Sequence, residues 1–312
     1  MKKFKQWLVL GAILLAGFSC STPAQNARVM NEQKLPFDWQ GHRGARGLSP
    51  ENTIPAFLKA LEFPAVRTLE LDLAVSADGY LVVSHEPWMS SAICSHPDGK
   101  PVQEAEEEGL AIYQMPYERI QGFDCGSRGN VRFPEQMRQM AFKPTLDAVV
   151  KEVQQYCEER GREIPFFNIE IKSTPEWDGA KSPAPEVFAR LVADKLQELD
   201  IAGITTIQSF DPRPLQFLHR NDPGLTLAFL VENTQSIEEN LRVLGFVPAI
   251  YSPYFGLINR EAIEWAHGKG MRVIPWTVNT TNDMQRLLEW GVDGIITDYP
   301  NRIPILPPSA AK

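Results

Sequence analysis

Eight short runs of β-forming residues alternate with helical segments from residue 37 to the end of the chain. Strand and helix patterns that alternate in this way predict a parallel sheet with crossover helices. Because eight strands with a helix between each pair is the number that closes a barrel, the pattern predicts a (β/α)8 TIM barrel. The strands are expected at 37–42, 67–75, 166–172, 205–210, 225–231, 249–252, 272–278 and 294–298.

One interval after the second strand interrupts this alternation. The chain between Val83 and Thr145 is rich in glycine, proline and charged residues, and we interpret about 87–142 as an insertion. Strand-to-helix loops of a barrel lie on the face where active sites are built, so the insertion is predicted to shape the substrate mouth. The alternative is a decoration that does not touch substrate.

The N-terminus is typical of an export signal. Three lysines within the first five residues precede the apolar run from Trp7 to Gly17, and Cys20 follows. This pattern predicts a signal peptide at 1–20. It resembles a bacterial lipoprotein signal, which predicts lipidation of Cys20 and a membrane tether in the periplasm or cell envelope; the alternative is ordinary cleavage. Residues 21–35 are predicted to be a tether, and 36–306 the barrel domain.

The remaining cysteines fit an exported protein, in which disulfides can form. Cys94 and Cys125 both lie in the insertion and are the best candidate pair, whereas Cys157 lies on a predicted amphipathic helix and is expected to be a buried free thiol. The formal net charge is −8, and no basic face is visible. This balance argues against nucleic acid as a partner. Nothing in the sequence implies a protein partner.

Two of the predicted strands carry charges where a buried strand should be apolar. Glu70 and Asp72 alternate with leucines in one strand, and Glu170 lies between Asn168 and Lys172 in the next. Because alternate side chains of a strand share one face, the carboxylates should point together into the barrel. Three carboxylates form an oxygen-rich site that suits Mg²⁺ or Ca²⁺ better than zinc. The alternative is that the acids only form ion pairs with nearby basic side chains.

Two histidines lie beside these charged strands. His42 and Arg43 stand between Gly41 and Gly44 at the end of the first strand, and His85 lies just before the insertion. Histidine is the side chain best suited to proton transfer near neutral pH. The planar guanidinium of arginine suits phosphate oxygens. These residues therefore predict acid–base chemistry on an anionic substrate.

An ordered set of motifs resembles the glycerophosphodiester phosphodiesterase family, in a bacterial, exported form. The set extends from about residue 37 to 303. Its members are Gly41-His42-Arg43-Gly44, Pro50-Glu51-Asn52-Thr53, Glu70 and Asp72, Asp78-Gly79 leading to His85, Pro144-Thr145-Leu146, Ile169-Glu170-Ile171-Lys172, Gln208-Ser209-Phe210-Asp211, Trp276-Thr277-Val278-Asn279 and the run from Gly291 to Pro300. One departure is Glu86 after His85, where the family commonly has aspartate.

The resemblance implies metal-dependent hydrolysis of glycerophosphodiesters to glycerol 3-phosphate and an alcohol. His42 and His85 would act as acid and base in an order left open. Glu70, Asp72 and Glu170 would bind one divalent metal, Mg²⁺ or Ca²⁺. The other implied roles concern substrate. Arg43 and Lys172 would hold the phosphoryl oxygens, and Glu51 would lie near the metal or the glycerol hydroxyls. Trp276 and Phe210 would line the glycerol side of the site.

Two other functions are compatible with the same residues. One is a phospholipase of similar barrel fold that acts on intact lipid headgroups, which would require exposed apolar residues around the mouth. The candidates for such residues are Trp88, Met89, Phe133, Met137 and Met140. These side chains could instead form a small separate core. The other is a lipoprotein that binds phosphodiesters without turnover, although all the histidines and carboxylates named above are present.

Overall fold

A computed structural model of the protein describes residues 36–304. The predicted signal peptide, with Cys20, and the whole predicted tether lie outside the described residues. The strands are β1 Asp38–Gly41, β2 Val66–Val75, β3 Leu81–Val83, β4 Phe166–Ile171, β5 Thr205–Ser209, β6 Thr226–Val231, β7 Ile250–Pro253, β8 Arg272–Val273 and β9 Gly294–Thr297.

Eight of these strands run parallel, in the order β8-β7-β6-β5-β4-β2-β1-β9, and β3 pairs antiparallel with β2. Backbone hydrogen bonds join the two ends of this series: Asp293 N donates to Val273 O at 2.9 Å, and Ile296 N donates to Pro275 O at 3.0 Å. The sheet is therefore almost closed on itself. The (β/α)8 barrel predicted from the sequence is confirmed, with β3 as an additional antiparallel strand.

Helices follow the strands, and several begin and end at residues that favour those positions. The helix after the insertion starts at Thr145, whose hydroxyl accepts from Ala148 N at 3.2 Å, and it ends at Gly161 with φ of 61°. Both are common capping arrangements. The helices are Ile54–Leu61, Tyr117–Ile120, Leu146–Arg160, Pro185–Glu198, Pro212–Asn221, Ile237–Leu244, Arg260–Gly268 and Thr281–Trp290.

The strands present their two faces to different surroundings. Leu69, Leu71 and Leu73 of β2 are fully buried in the main core, which lies between the sheet and the helices. The alternate residues Glu70 and Asp72 point into the barrel. This side of the strand is polar because the barrel interior holds the candidate site, as the period-2 pattern of the sequence indicates.

The insertion has a small core of its own. Met89, Ile112 and Phe123 belong to a separate buried cluster of apolar side chains, and the Cys94–Cys125 disulfide lies in the same cluster. Met89 and Phe133 are buried, whereas Met137 and Met140 are exposed. The insertion therefore combines the two arrangements that the sequence left open. Cys157 is a buried free thiol, as expected.

The disulfide closes a long loop, with 31 residues of separation between its cysteines. Replacing both cysteines with serine is expected to lower the free energy of unfolding by roughly 3–4 kcal/mol, because the cross-link restricts the unfolded chain. Urea denaturation under oxidising conditions measures this loss. Reductant should produce the same loss in the wild-type protein and none in the double variant; equal stability of the two oxidised proteins would contradict the prediction.

Within residues 36–304, no helix combines the length and the apolar character that crossing a membrane needs.

Candidate active site

The predicted site residues converge at the carboxyl end of the barrel. Glu70 and Asp72 of β2 lie opposite Asn168 and Glu170 of β4 in the strand register. His42 comes directly after β1. This is the face on which TIM-barrel enzymes carry their active sites. A cavity of about 120 Å³ opens there, and its lining includes His42, Arg43, Glu70, His85, Glu170, Phe210 and Trp276.

The turn after β1 depends on glycine. Gly44 has φ of +82°, and a Cβ at this position would lie 2.5 Å from the carbonyl carbon of Ala56. Only glycine fits both the conformation and the space. The turn directs the backbone N–H of Arg43 toward Glu70 Oε2, at 2.8 Å. The Gly-His-Arg-Gly sequence thus brings the first strand into contact with the carboxylates of the second.

Glu70, Asp72 and Glu170 form one buried carboxylate cluster. One oxygen from each lies within 4.8 Å of the others. Asp72 Oδ1 is buried and has no hydrogen-bond partner among the described residues, and its closest cation is Lys172 Nζ at 3.9 Å. A buried carboxylate oxygen without a donor is costly. Three carboxylates in this arrangement are suitable ligands for a hard divalent cation.

The electrostatics of this cluster support the same fit. Burial, together with the charge of Asp72, raises the pKa of Glu70 well above its usual value. Burial also raises the pKa of Glu170 to about 7, although Lys172 opposes the shift. Burial acts in the same direction on Asp72, but the charges of Arg43, His85 and Lys172 and the hydrogen bond from Asn52 together outweigh it, so the pKa of Asp72 is lowered. A divalent cation between these oxygens would relieve the repulsion that raises the pKa of Glu70 and of Glu170.

His42 is held by a carboxylate from the other end of the chain. Its Nδ1 lies 2.6 Å from Asp298 Oδ1, and Asp298 also accepts from Arg46 Nε at 2.8 Å and from Asn279 Nδ2 at 2.7 Å. Burial and the charge of Arg46 lower the pKa of His42 to about 4, which Asp298 only partly offsets. His42 is therefore neutral at pH 7, with its hydrogen on Nδ1 in this network. Its Nε2 faces Glu70 Oε2 at 3.9 Å.

His85 lies nearer to solvent than His42. Its side chain is 30% exposed, and Nδ1 lies 2.9 Å from Glu86 Oε1. Burial and the charge of Arg43 lower its pKa, whereas Asp72 and Glu86 act in the opposite direction. Glu86 thus occupies the same position toward His85 that Asp298 occupies toward His42. Each histidine has a carboxylate on Nδ1, which leaves Nε2 as the nitrogen available for proton transfer.

The predicted phosphate-binding cations are packed against the carboxylates. Arg43 Nη1 donates to Glu51 Oε1 at 2.6 Å, and Arg43 Nε lies 3.3 Å from Asp72 Oδ2. Lys172 Nζ lies 2.9 Å from Glu170 Oε1. The structure places Glu51 behind Arg43, where it also accepts from Asn130 of the insertion at 3.4 Å. Glu51 therefore contacts Arg43 and the insertion rather than the carboxylate cluster.

Aromatic rings form one wall of the cavity. Phe210 and Trp276 meet edge to face with ring centroids 5.3 Å apart, and Tyr254 lies on the other side of Trp276 at 5.8 Å. Trp276 Nε1 donates to Ser252 O at 2.9 Å, which fixes the indole. Phe210 remains 37% exposed. This arrangement leaves an apolar surface free to contact a bound molecule.

Sequence reasoning missed several buried polar residues of the site. Asn52 Nδ2 donates to Asp72 Oδ2 at 2.8 Å, and Gln208 Nε2 donates to Glu70 Oε1 at 2.8 Å. Lys143 is buried and donates to Ser84 Oγ at 2.7 Å. Asn52, Gln208 and Asp298 lie inside motifs that the resemblance covered, so the polar side chains of those motifs were a usable signal. Lys143 carried no such signal.

Fold and site together define a barrel enzyme with two histidines facing a buried carboxylate cluster. A family model described as "Glycerophosphoryl diester phosphodiesterase family" matches residues 42–302. The chain belongs to this family, as the motifs predicted.

Individual relatives agree with this assignment. The chain is 28% identical over 268 residues to the glycerophosphodiester phosphodiesterase of Bacillus subtilis (strain 168), covering 83% of each protein. The crystal structure of a protein from Silicibacter pomeroyi DSS-3, assigned to the glycerophosphoryl diester phosphodiesterases, superposes with a TM-score of 0.74 at 30% identity, covering 86% of this chain and 91% of that one. An Oleispira antarctica phosphodiesterase, solved with its product sn-glycerol-3-phosphate, shares the fold with a TM-score of 0.66 at 21% identity, over 86% and 95% of the chains.

Proposed function

We propose that this protein hydrolyses glycerophosphodiesters to glycerol 3-phosphate and an alcohol, using one divalent metal and two histidines. The observation that carries this proposal is the buried Glu70–Asp72–Glu170 cluster, with an unpartnered oxygen on Asp72, beside His42 and His85. Membership of the family supports the reaction, and the three carboxylate ligands support the use of a divalent metal. Mg²⁺ and Ca²⁺ both suit three carboxylates.

The histidines differ in position, and this supports different roles for them. His42 is almost buried, neutral and oriented by Asp298. Its Nε2 would therefore accept a proton from the water or substrate hydroxyl that attacks phosphorus. His85 lies at the exposed rim. In its protonated form, which Asp72 and Glu86 favour, Nε2 carries a hydrogen that would be donated to the departing alkoxide. We therefore assign His42 as the base and His85 as the acid.

The surrounding residues bind and orient the substrate. Arg43 and Lys172 carry the positive charges that face the phosphoryl oxygens, and their own carboxylate partners hold them in place. A bound divalent cation would add fixed charge at the phosphoryl group and lower the pKa of a nearby hydroxyl. The rings of Phe210 and Trp276 would contact the glycerol and exclude water from that side.

The decisive experiment measures glycerol 3-phosphate release from glycerophosphocholine and glycerophosphoethanolamine. Protein that begins at residue 21 is assayed with Mg²⁺, with Ca²⁺ and with a chelator. We expect release with metal and none with the chelator. Release of the headgroup from intact phospholipid vesicles, with no glycerol 3-phosphate from either soluble diester, would instead indicate a phospholipase. Recovery of intact diester bound to the protein would indicate a binding lipoprotein.

Removal of the Phe210 ring tests the aromatic wall. Phe210→Ala is expected to raise KM for glycerophosphocholine roughly 5–20-fold with little change in kcat, because it removes apolar contact made equally in the ground and transition states. Steady-state kinetics measure the effect. Phe166→Ala is the matched control, since Phe166 is also partly exposed but lies at the amino end of the barrel. An unchanged KM for Phe210→Ala would remove this ring from the substrate site.

We further propose the domain organisation and location indicated by the N-terminal pattern. Residues 1–20 would be a lipoprotein-type signal, 21–35 a tether, and 36–306 the catalytic domain with its insertion at about 87–142. Lipid on Cys20 would hold the enzyme in the cell envelope. Metabolic labelling with a radioactive fatty acid tests this, and Cys20→Ser should abolish the label.

A further inference from the structure

The last part of the insertion exposes several large apolar side chains close together in sequence. Isolated exposed apolar residues are ordinary on a protein surface, but a concentration of them beside an active site indicates an interaction surface. We name residues 131–142 the docking segment. Its exposed apolar side chains are Val131 at 97%, Met137 at 57%, Met140 at 66% and Phe142 at 46%.

Buried residues between the exposed ones fix the docking segment to the catalytic face. Phe133 packs against Tyr299, and Gln136 Nε2 donates to the backbone oxygen of Arg46 at 2.7 Å. Met137 N donates to Leu48 O at 3.0 Å. These partners belong to the loops that follow β1 and β9, next to His42. The apolar side chains are thus held outward at the side of the substrate mouth.

The docking segment is basic, although the whole chain carries a formal net charge of −8. Arg132 and Arg138 are both exposed, and neither makes an ion pair with any residue in 36–304. The one acid of the segment, Glu135, is paired with Arg302. Two positive charges therefore remain available beside the exposed apolar side chains.

We propose that the docking segment binds the surface of an anionic phospholipid bilayer. Apolar side chains that enter the headgroup region beside arginines that pair with phosphates are the combination that interfacial binding requires. Anionic headgroups complement the two unpaired arginines. Without these arginines, the acidic remainder of the protein surface would repel an anionic bilayer. Docking through this segment places the substrate mouth next to the bilayer.

Vesicle sedimentation tests this proposal. The protein begins at residue 21, so that no lipid on Cys20 contributes. The barrel and its apolar clusters lie within the described residues. The vesicles contain phosphatidylcholine with about one third phosphatidylglycerol. The test variant is Met137→Asp/Met140→Asp. The matched control is Val187→Asp/Val243→Asp, at positions 52% and 55% exposed on outer helices of the barrel.

We expect the wild-type protein and the control to sediment with the vesicles, and the test variant to bind at least about tenfold more weakly. Arg132→Glu/Arg138→Glu should also weaken binding, and added salt should reproduce this effect in the wild-type protein. Hydrolysis of soluble glycerophosphocholine should be unchanged in every variant, so a failure of docking is distinguishable from a failure of the proposed function.

Three results would overturn the proposal. The first is a wild-type protein that does not bind anionic vesicles. The second is equal weakening by the control and the test substitutions. The third is a wild-type dimer in solution that Met137→Asp/Met140→Asp converts to a monomer without changing vesicle binding, which would assign the segment to contact between two copies of the chain.

Discussion

Asp72→Asn is expected to abolish tight binding of the divalent metal and to lower kcat/KM by roughly 10²–10⁴-fold. Asp72 is the member of the carboxylate cluster whose pKa is lowered, because its charged and hydrogen-bonded neighbours together outweigh the effect of burial. It therefore contributes the most persistent negative charge. Its Oδ1 has no other partner among the described residues. Asparagine has nearly the same shape but removes this charge.

Calorimetric titration with Mg²⁺ and with Ca²⁺ measures the binding, and steady-state assays measure the activity. Metal should also raise the melting temperature of the wild-type protein but not that of the variant, because only a protein that binds metal is stabilised by it. Asp194→Asn is the matched control, since this carboxylate is exposed on the helix Pro185–Glu198. Normal activity of Asp72→Asn in the presence of chelator would refute the metal site.

Asp298→Asn is expected to lower kcat/KM roughly 10²–10⁴-fold, about as much as His42→Ala. The Asp298 carboxylate accepts the hydrogen of His42 Nδ1 at 2.6 Å and leaves Nε2 unprotonated. An asparagine amide can donate to Nδ1 and so favour the tautomer with its hydrogen on Nε2, which cannot accept a proton. Because the two residues act as one unit, the double variant should be no slower than His42→Ala.

The chain offers a matched pair for this experiment. His267 Nε2 lies 2.8 Å from Asp293 Oδ2 at the amino end of β9, far from the carboxyl ends that form the site. His267→Ala and Asp293→Asn should leave kcat/KM unchanged. If Asp298→Asn keeps wild-type kinetics, or if its loss adds in full to that of His42→Ala, the positioning role is wrong.

The barrel and the identity of the carboxylate cluster could be predicted because they depend on local periodicity. Alternation of leucine with Glu70 and Asp72 is a property of one strand, and the same is true of Glu170. Residues such as Lys143 could not be predicted in the same way. Lys143 is buried and donates to Ser84, which lies far away in the sequence, whereas a lysine in an irregular stretch is ordinarily a solvated side chain.

Burial of individual side chains in the insertion could not be predicted from the sequence either. The sequence indicated the length of the insertion and offered Cys94 and Cys125 as a candidate pair, but it did not indicate whether Met89 or Met137 would be buried. Neither residue lies in a segment with helical or strand periodicity, so burial depends on which surface the loop packs against. Met89 lies in the small core around the disulfide. Met137 is exposed, while its own backbone N–H donates to Leu48 O in the loop after β1.

The sequence by itself determined the strand and helix alternation, the common face of Glu70 and Asp72, and the glycine-dependent turn that carries His42 and Arg43. Each follows from backbone geometry over a few residues. Only the tertiary structure decided that Asp298 orients His42, across 256 residues of sequence. Closure of the barrel places β9 beside β1, and no local rule connects two strand ends that far apart in the chain.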